Sequence, residues 1–351
     1  MSVIKKSMRI LLVMDPGIPV PPEGYGGIER MIYLLAKEYL SLGHEVHVLA
    51  SSGSNIEGCV VHSIGLDGFP PTKKQMRLAL YRAWWFLWRN RNMYDIVHNF
   101  GRLMYLVPIL HNKTKKIMSY QREITTKNIN IIEKFPNRNL FFTGCSENLI
   151  ARAKLTSRFS AIHNAIDFSS FLLNKKNEPD APLMFLGRIE RIKGCHTAIS
   201  IAKKTNQKLI IAGNISKLPE EIEYFETEIK PLIDNQQIVF VGEVNDKEKS
   251  KLLGISKALL MPIEWNEPFG IVMIESMACG TPVIAFDRGS VREVVEEGKT
   301  GCIVSDINQF CKAVLSVNTI DRENCRAYAF NKFHIDFIAK QYLKLVDKDA
   351  C

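Results

Sequence analysis

The first half of the chain alternates between short apolar runs and longer amphipathic stretches. Residues 8–14 form a run that is apolar except for Arg9 and predicts a strand, and residues 28–42 repeat their apolar positions with the period of a helix that Gly43 ends. Residues 73–92 predict a second helix. Further strands are predicted over residues 45–50, 96–98, 117–120, 140–144 and 160–163. Strands that alternate with helices predict an α/β fold with a doubly wound parallel sheet.

The same alternation restarts after a polar segment. Residues 168–182 are rich in Asn, Lys and Glu and contain two prolines, which predicts a linker centred on residues 171–182. Strands are then predicted over residues 183–186, 208–212, 238–241, 258–261, 283–286 and 302–304. The predicted organisation is an N-terminal Rossmann-like domain (1–170), the linker (171–182), a second Rossmann-like domain (183–320) and C-terminal helices (321–351) that pack back across the hinge. Two such domains predict a ligand in the crevice between them, at the carboxyl ends of both sheets.

Length and composition agree with two soluble domains. The 351 residues are 46% hydrophobic and 24% charged, as in ordinary globular proteins. There is no run of 18 apolar residues to predict a membrane-spanning helix, and the N-terminus lacks the apolar core of a signal peptide. The eight cysteines include no C-x-x-C pair, and no histidines cluster at metal-ligand spacing. We therefore expect reduced thiols, no metal, no bound cofactor and a cytoplasmic protein.

The positive charge lies in the first half. Residues 1–170 hold 22 basic and 12 acidic residues, a net charge of +10, whereas residues 171–351 hold 24 and 25, a net charge of −1, so the excess positive charge of the chain lies in the N-terminal domain. A basic domain suits nucleic acid, an anionic membrane surface, or an acidic or phosphorylated substrate. Because no nucleic-acid-binding signature is present, nucleic acid is not predicted as a partner.

The most informative motif is the segment from Glu267 to Glu275. It predicts a helix over residues 268–279, with Pro268 in its first turn and Gly280 at its end. The amides of residues 269–271 at the start of such a helix would face an anion. With a carboxylate on each side, the segment suits a ligand that has phosphates in its middle and hydroxyls at both ends, as a nucleotide sugar has.

A plainer interpretation of the same segment stays open. Glu267 would then only oppose the helix dipole, and Glu275 would be a solvated surface residue. The apolar residues 272–274 argue against this for Glu275, because a carboxylate on a mostly buried helix needs a partner.

The second motif, residues 185–194, directly follows the first predicted strand of the second domain. Arg188 and Lys193 within it can converge on a diphosphate, one as a forked donor and the other as a point charge. Taken alone, a basic pair after a strand is also typical of a solvated loop.

The third motif is the glycine-rich run over residues 23–29. It does not match the dinucleotide fingerprint, because G-x-G-x-x-G would require glycine at Glu29 and the preceding loop is too long for a tight turn. This disfavours a nicotinamide dehydrogenase. Gly26 and Gly27 either let a phosphate or sugar approach the backbone or serve a structural turn.

In this order the three motifs resemble glycosyltransferase family 4, the retaining group 1 transferases of GT-B fold. Residues 267–275 match the family's E-x7-E motif, and residues 187–194 resemble its G-R-x4-K-G stretch. Residues 162–167 resemble the N-G-V-D element, with Ala165 in place of glycine. The likeness covers most of the chain and is strongest over residues 185–304.

The resemblance implies a metal-independent, retaining transfer of a hexose from a nucleoside diphosphate sugar, with UDP favoured over GDP. The acceptor would be a glycan, a lipid-linked sugar or a small molecule. Glu267 would bind donor sugar hydroxyls, Glu275 the ribose, and Arg188 with Lys193 the diphosphate leaving group. Residues 242–246 would contact the base through their main chain. The remaining donor-site residues would be Gly26, Gly27, Gly187, Val244, Phe269, Gly270 and Ile271.

The first domain departs from the family pattern. Many relatives carry a histidine after a strand at the sugar, whereas the corresponding run here ends in Tyr120, Gln121 and Arg122. An amide can hydrogen-bond a sugar hydroxyl but does not take a proton at neutral pH. His98 is another candidate for the sugar side, although a histidine at a strand end is often structural. These four residues are the predicted acceptor or sugar side.

Residues 73–91 carry tryptophans beside lysines and arginines. We state as a hypothesis that this stretch is an interfacial helix in peripheral contact with anionic lipid, against the alternative of a packed helix with a solvated basic face.

Two other functions stay open. A sugar-nucleotide binding protein with little or no transferase activity would agree with Gln121. Another GT-B enzyme, such as a sugar-nucleotide epimerase, would use the same donor site but would not release a nucleoside diphosphate in each turnover.

Overall fold

The structure is a computed structural model that describes residues 7–24, 26–66, 68, 70–135, 139–154 and 159–347. Its contacts divide the chain into two units, the first formed by residues 1–165 with 335–351 and the second by residues 166–334.

The first unit is built on a seven-stranded parallel sheet with the order β3-β2-β1-β4-β5-β6-β7. Its strands are β1 (Arg9–Val13), β2 (Glu45–Ser51), β3 (Val60–Gly65), β4 (Ile96–Asn99), β5 (Lys115–Tyr120), β6 (Leu140–Gly144) and β7 (Phe159–Ala161). The inner strand β1 is apolar and buried from Ile10 to Val13, and Leu12 pairs with Val48 on one side and His98 on the other. A strand buried on both faces requires such a continuous apolar run.

Helices cover this sheet. They are α1 (Gly27–Ser41), α2 (Lys73–Arg89), α3 (Thr126–Ile132) and α4 (Glu147–Ala153), with a 3-10 helix at Leu103–Ile109. Helix α1 buries Met31, Ile32, Leu35, Ala36 and Tyr39, the periodic face that the sequence pattern predicted.

Strand β3 was not predicted from the sequence. It lies at the edge of the sheet, where Val60 is exposed and the polar His62 and Ser63 interrupt the apolar pattern. An edge strand pairs with only one other strand and is more exposed than an inner strand. It therefore needs no continuous apolar run, and its sequence signal is weak.

The second unit is built on a six-stranded parallel sheet with the order β10-β9-β8-β11-β12-β13. Its strands are β8 (Leu183–Leu186), β9 (Leu209–Ala212), β10 (Ile238–Gly242), β11 (Ala258–Met261), β12 (Val283–Phe286) and β13 (Gly301–Val304). Its helices are α5 (Cys195–Lys204), α6 (Pro219–Tyr224), α7 (Asp246–Ile255), α8 (Ile271–Ala278), α9 (Val291–Val294), α10 (Ile307–Ser316) and α11 (Arg322–Phe333). The chain winds outward from β8 in one direction and from β11 in the other, so the point where the order reverses lies between these two adjacent strands.

The predicted linker 171–182 is part of the second unit. The Asn174 N–H donates to the Cys279 carbonyl at 3.1 Å, and the Leu172 N–H donates to Ser250 Oγ at 2.9 Å. The side chains of Asn174 and Asn177 donate to the Gly254 and Ser256 carbonyls at the end of α7. The polar residues that predicted a solvated linker therefore satisfy main-chain groups, and the boundary falls at Ala165 instead.

The predicted C-terminal segment 321–351 is divided between the units. Helix α11 belongs to the second unit, whereas the last helix, α12 (Ile335–Asp347), belongs to the first and packs against α1. Helix α12 buries Ile338, Ala339, Tyr342, Leu343 and Val346, so its apolar face completes the core of the first unit. No helix in the described ranges is both long enough and apolar enough to cross a membrane.

Candidate functional site

Two loops of the second unit meet at the point where its strand order reverses. One follows β8 and contains Arg188 and Lys193, and the other follows β11 and runs from Pro262 to the start of α8. The Glu264 N–H donates to the Ile192 carbonyl at 2.8 Å and ties the two loops together. In open α/β sheets this edge, at the carboxyl ends of the strands, is where ligands bind.

Gly194 allows the loop after β8 to lie directly against the loop after β11. Its φ is +76°, and a Cβ atom at this position would lie 2.0 Å from the Pro262 carbonyl oxygen. A side chain is therefore excluded both by the left-handed backbone and by the neighbouring loop.

The loops bring Lys193 and Glu267 into contact. Lys193 Nζ lies 2.6 Å from Glu267 Oε2, and the Trp265 indole N–H donates to the same oxygen at 3.0 Å. Lys193 Nζ also lies 4.7 Å from the centre of the Trp265 ring, within cation–π range. The side chains of Lys193 and Glu267 are only 21% and 12% exposed, so each charge compensates the other in a partly desolvated site.

The backbone of Glu267 is held by a third loop, which follows β12. The Ser290 N–H donates to the Glu267 carbonyl at 3.0 Å, and Ser290 Oγ donates to the Phe269 carbonyl at 2.8 Å. Gly289 has φ +59°, and a Cβ atom there would lie 2.3 Å from the Glu267 carbonyl oxygen. Sequence reasoning missed both residues. The available signal was a glycine followed by a serine shortly after an apolar strand.

Helix α8 begins later than predicted. The sequence placed its first turn at Pro268, but the helix starts at Ile271 because Gly270 has a left-handed backbone with φ +76°. A left-handed residue cannot continue a right-handed helix. The predicted amides of Phe269 and Gly270 therefore precede the helix, and the first-turn amides, which have no acceptor within the helix, begin at Ile271.

Glu275 pairs with a lysine that sequence reasoning did not identify. Its carboxylate is buried on α8, where Oε1 lies 2.5 Å from Lys249 Nζ of α7. Asp246 Oδ1 lies 3.0 Å from the same nitrogen. Burial acts to lower the pKa of Lys249, but the carboxylates of Glu275 and Asp246 outweigh it and raise that pKa. Glu275 thus has the partner that its buried position requires, and the surface interpretation of this residue is wrong.

Arg188 and Gly187 lie in the same loop as Lys193. Arg188 Nη1 lies 3.1 Å from Glu190 Oε1, and about a third of the arginine side chain is exposed. Val244 is half-buried in the turn between β10 and α7, next to Asn245, which caps α7. Gly187, Arg188 and Lys193 thus follow the end of β8, and Val244 follows the end of β10, as the sequence motifs predicted.

In the first unit the glycine-rich run precedes α1, with Gly26 at the cap position and Gly27 as the first helical residue. A Cβ atom on Gly26 would lie 2.7 Å from Pro22 and 3.0 Å from Glu29 Oε2, so this glycine is at least needed for local packing. Burial raises the pKa of Glu29, while the charge of Arg122 opposes that rise. The exposed Arg122 therefore lies close enough to act on the start of α1.

The other candidates of the first unit differ in accessibility. His98 is wholly buried, its Nε2 lies 2.7 Å from Ser119 Oγ, and burial lowers its pKa to about 3. Tyr120 is buried at the end of β5, and burial raises its pKa. Gln121 is half-buried, and its amide nitrogen has no hydrogen-bond partner among the described residues. The surroundings of His98 are those of a structural histidine.

Among the described residues, no three or more His, Cys, Asp or Glu side chains are grouped so that they could hold a metal ion.

Models of two protein families match the chain. The model described as glycosyl transferases group 1 matches residues 171–331, and the model described as Glycosyltransferase Family 4 matches residues 25–120. Together they account for most of both units.

One curated relative is an uncharacterized 41.2 kDa protein in the cps region of Klebsiella pneumoniae. It is 28% identical over 179 residues, which are 49% of this chain and 48% of the relative. The chain thus spans about half the length of the curated relatives that it matches.

Solved structures resemble nearly the whole chain. Sucrose-phosphate synthase from Thermosynechococcus elongatus superposes with a TM-score of 0.78 at 18% identity, covering 97% of this chain and 98% of the other. The Anabaena protein Alr3699/HepE in complex with UDP and glucose superposes with a TM-score of 0.72 at 17% identity, covering 97% and 100%. At these identities the likeness shows the fold, which is GT-B. The matches of both family models agree with the two Rossmann-type sheets and with the GT-B fold. The chain therefore belongs to glycosyltransferase family 4, the group 1 glycosyltransferases.

Proposed function

We propose that the protein is a retaining, metal-independent glycosyltransferase that transfers a hexose from a nucleoside diphosphate sugar. UDP is favoured over GDP as the nucleotide, and the acceptor is a glycan, a lipid-linked sugar or a small molecule. The observation that carries this proposal is the contact between Lys193 and Glu267 at the reversal point of the second sheet. It places a cation and a carboxylate together where an α/β sheet binds its ligand.

The diphosphate is assigned to the cationic side of this site. Lys193 supplies a compact charge, Arg188 supplies a forked donor, and the first-turn amides of α8 favour an anion near Ile271. As the bond between the sugar and the diphosphate breaks, negative charge grows on the departing phosphate oxygens. Donors that are already in place stabilise that charge without reorganisation, and this lowers the barrier of the transfer step.

The hexose is assigned to Glu267. Lys193 and Trp265 both donate to Oε2 of this residue, which holds that oxygen in place. An ionised carboxylate has about four acceptor positions, so it retains the capacity to accept bonds from sugar hydroxyls. Glu267 therefore orients the sugar while Lys193 contacts the leaving group.

The nucleoside is assigned to α7 and α8. Glu275 would accept hydrogen bonds from the ribose hydroxyls, with Lys249 holding its carboxylate in position. The main chain near Val244 would contact the base. The complex of the Anabaena protein with UDP and glucose supports a uridine nucleotide, because that protein shares the fold.

Calorimetric titration of the full chain with UDP, GDP and ADP, and with their glucose conjugates, tests this proposal. We expect one base to be preferred, and we expect binding to weaken at least about tenfold in Lys193→Ala, since the lost contact is charge-assisted. Lys203→Ala, an exposed lysine on α5 of the same unit, is the matched control. If none of the nucleotides binds, or if Lys193→Ala binds as tightly as the control, the proposal is wrong.

A sugar-nucleotide binding protein without transferase activity is the second candidate. It is favoured by Gln121, which stands where the family resemblance implies a histidine and whose amide nitrogen lacks a partner among the described residues. Tight donor binding without release of nucleoside diphosphate on any acceptor would support this function. Release of nucleoside diphosphate that Glu267→Gln abolishes would exclude it.

A further inference from the structure

Helix α2 presents a row of large apolar side chains to solvent. Leu78, Tyr81, Trp85 and Trp88 are 48%, 64%, 60% and 57% exposed. Their spacing of three, four and three residues places them on one side of the helix. We call these four residues the α2 stripe. Scattered exposed apolar residues are ordinary, but a continuous row of this size marks an interaction surface.

The α2 stripe is not needed to attach the helix to its domain. The opposite side buries Met76, Ala79, Ala83 and Leu87. The indole N–H of Trp84 donates to the Met104 carbonyl at 2.7 Å and fixes the same inward side. The helix is therefore packed through one face while the other face stays exposed.

Positive charge surrounds the α2 stripe. Residues 73–91 include no acidic residue, and their basic side chains are all exposed: Lys73, Lys74, Arg77, Arg82, Arg89 and Arg91. The guanidinium carbon of Arg89 lies 5.6 Å from the centre of the Trp85 ring, and that of Arg91 lies 5.3 Å from the Trp88 ring. These cation–π contacts keep an arginine beside each exposed indole.

We propose that the α2 stripe and the basic residues around it bind the surface of an anionic lipid bilayer. Indole and phenol rings are amphipathic and partition to the headgroup region, where arginine and lysine pair with lipid phosphates. A helix lying in the plane of the membrane needs an apolar side flanked by basic residues, and the exposed side of α2 has both. The two descriptions of residues 73–91 that were open from the sequence are thus compatible, because one side packs and the other docks.

Other occupants fit the same surface less well. Two copies of the chain would bring six positive charges against six more, which opposes association through this face. A nucleic acid strand would use the basic residues, but a single convex helix provides no groove to hold successive bases. An anionic bilayer surface contacts both the α2 stripe and the basic residues around it.

Flotation of the full chain with lipid vesicles tests the proposal. Vesicles of phosphatidylcholine containing about 30% phosphatidylglycerol, at about 0.1 M salt, should carry the protein upward, while pure phosphatidylcholine vesicles should not. The variant W85A/W88A should lower the partition coefficient on the order of tenfold or more, because it removes most of the apolar contact. The variant K74Q/R77Q/R89Q should lower it by about fivefold for each lost charge, and high salt should reproduce that loss.

Two matched variants control for nonspecific effects. Leu315→Ala removes an exposed apolar side chain of α10, and K203Q/K204Q removes exposed charge from α5, both in the second unit. Neither should change flotation. Circular dichroism should show unchanged helix content in W85A/W88A, since its replaced side chains are exposed.

Three results would overturn the proposal. The first is no flotation of the wild-type protein with anionic vesicles at low salt. The second is equal flotation of W85A/W88A and the wild type. The third is self-association, or binding to a single-stranded oligonucleotide, that depends on Trp85 and Trp88 while vesicles are not bound. The donor-binding titration is independent of all three, so failure of this proposal leaves the proposed function intact.

Discussion

Lys193 Nζ and Glu267 Oε2 lie 2.6 Å apart, although 74 residues separate them along the chain. They meet because β8 and β11 are neighbours in the sheet and the loop after each strand leaves at the same edge. Three further features hold this contact in place: the absence of a side chain at Gly194, the Trp265 indole, and the Gly289–Ser290 backbone behind Glu267.

Gly289→Ala should lower turnover by displacing Glu267. The new Cβ atom would lie 2.3 Å from the Glu267 carbonyl oxygen, and the backbone of one of the two loops has to move. Gly298→Ala is the matched control, because Gly298 also has a left-handed backbone, with φ +73°, but nothing within 4 Å of its added Cβ. The left-handed backbone should cost both variants about 1–2 kcal/mol of stability, and Gly289→Ala should lose more because its Cβ also clashes with the Glu267 backbone. Only Gly289→Ala should lower kcat, and equal kcat losses would show that Gly289 has no positioning role.

Lys249→Gln should weaken donor binding and destabilise the second unit. Removing the lysine leaves the Glu275 carboxylate buried without a cation, which costs about 3–5 kcal/mol. The double variant K249Q/E275Q should recover much of the thermal midpoint without recovering affinity for the nucleotide. Lys251→Gln, an exposed position on the same helix, should leave both measurements unchanged. Recovery of affinity in the double variant would exclude a role for this pair in ribose binding.

His98 should make the first unit sensitive to acid. Burial lowers the pKa of this imidazole from 6.5 to about 3, so between these two values the unfolded chain takes up a proton that the folded chain does not. Stability from this residue is complete above pH 6.5 and is lost as the pH falls, by about 1.4 kcal/mol for each pH unit. His98→Gln should flatten the fall of the thermal midpoint between pH 6.5 and pH 4.5, whereas the exposed His111→Gln should not. Parallel curves for all three proteins would contradict this assignment.

Most of the fold could be predicted from the alternation of apolar runs and amphipathic stretches. The predicted bounds of β8, β11 and β12 coincide with the observed ones, because a central parallel strand must be apolar throughout its length. Strand β3 was missed because an edge strand carries no such pattern. The predicted linker lies within the second unit, where its asparagines bond to main-chain carbonyls, and the sequence does not reveal that use.

The candidate site was predictable only in part. The E-x7-E segment and the basic pair could be located by their positions after strands, and Lys193 and Glu267 do come together. The contact of Lys249 with Glu275 depends on how α7 docks against α8, and the need for Gly289 depends on a close approach between two loops. Neither relationship leaves a local pattern in the chain. The start of α8 was placed too early because the left-handed backbone of Gly270 cannot be read from its spacing.

The central claim is that Lys193 stabilises the departing diphosphate of a sugar nucleotide whose sugar Glu267 holds. The most direct test measures release of nucleoside diphosphate from UDP-, GDP- and ADP-glucose at saturating donor, comparing the wild type, Lys193→Ala, Glu267→Gln and the control Lys203→Ala. We expect release from one donor, reduced by a factor on the order of 100–1,000 in Lys193→Ala and in Glu267→Gln, and unchanged in the control. Release by Lys193→Ala at the wild-type rate would contradict the account.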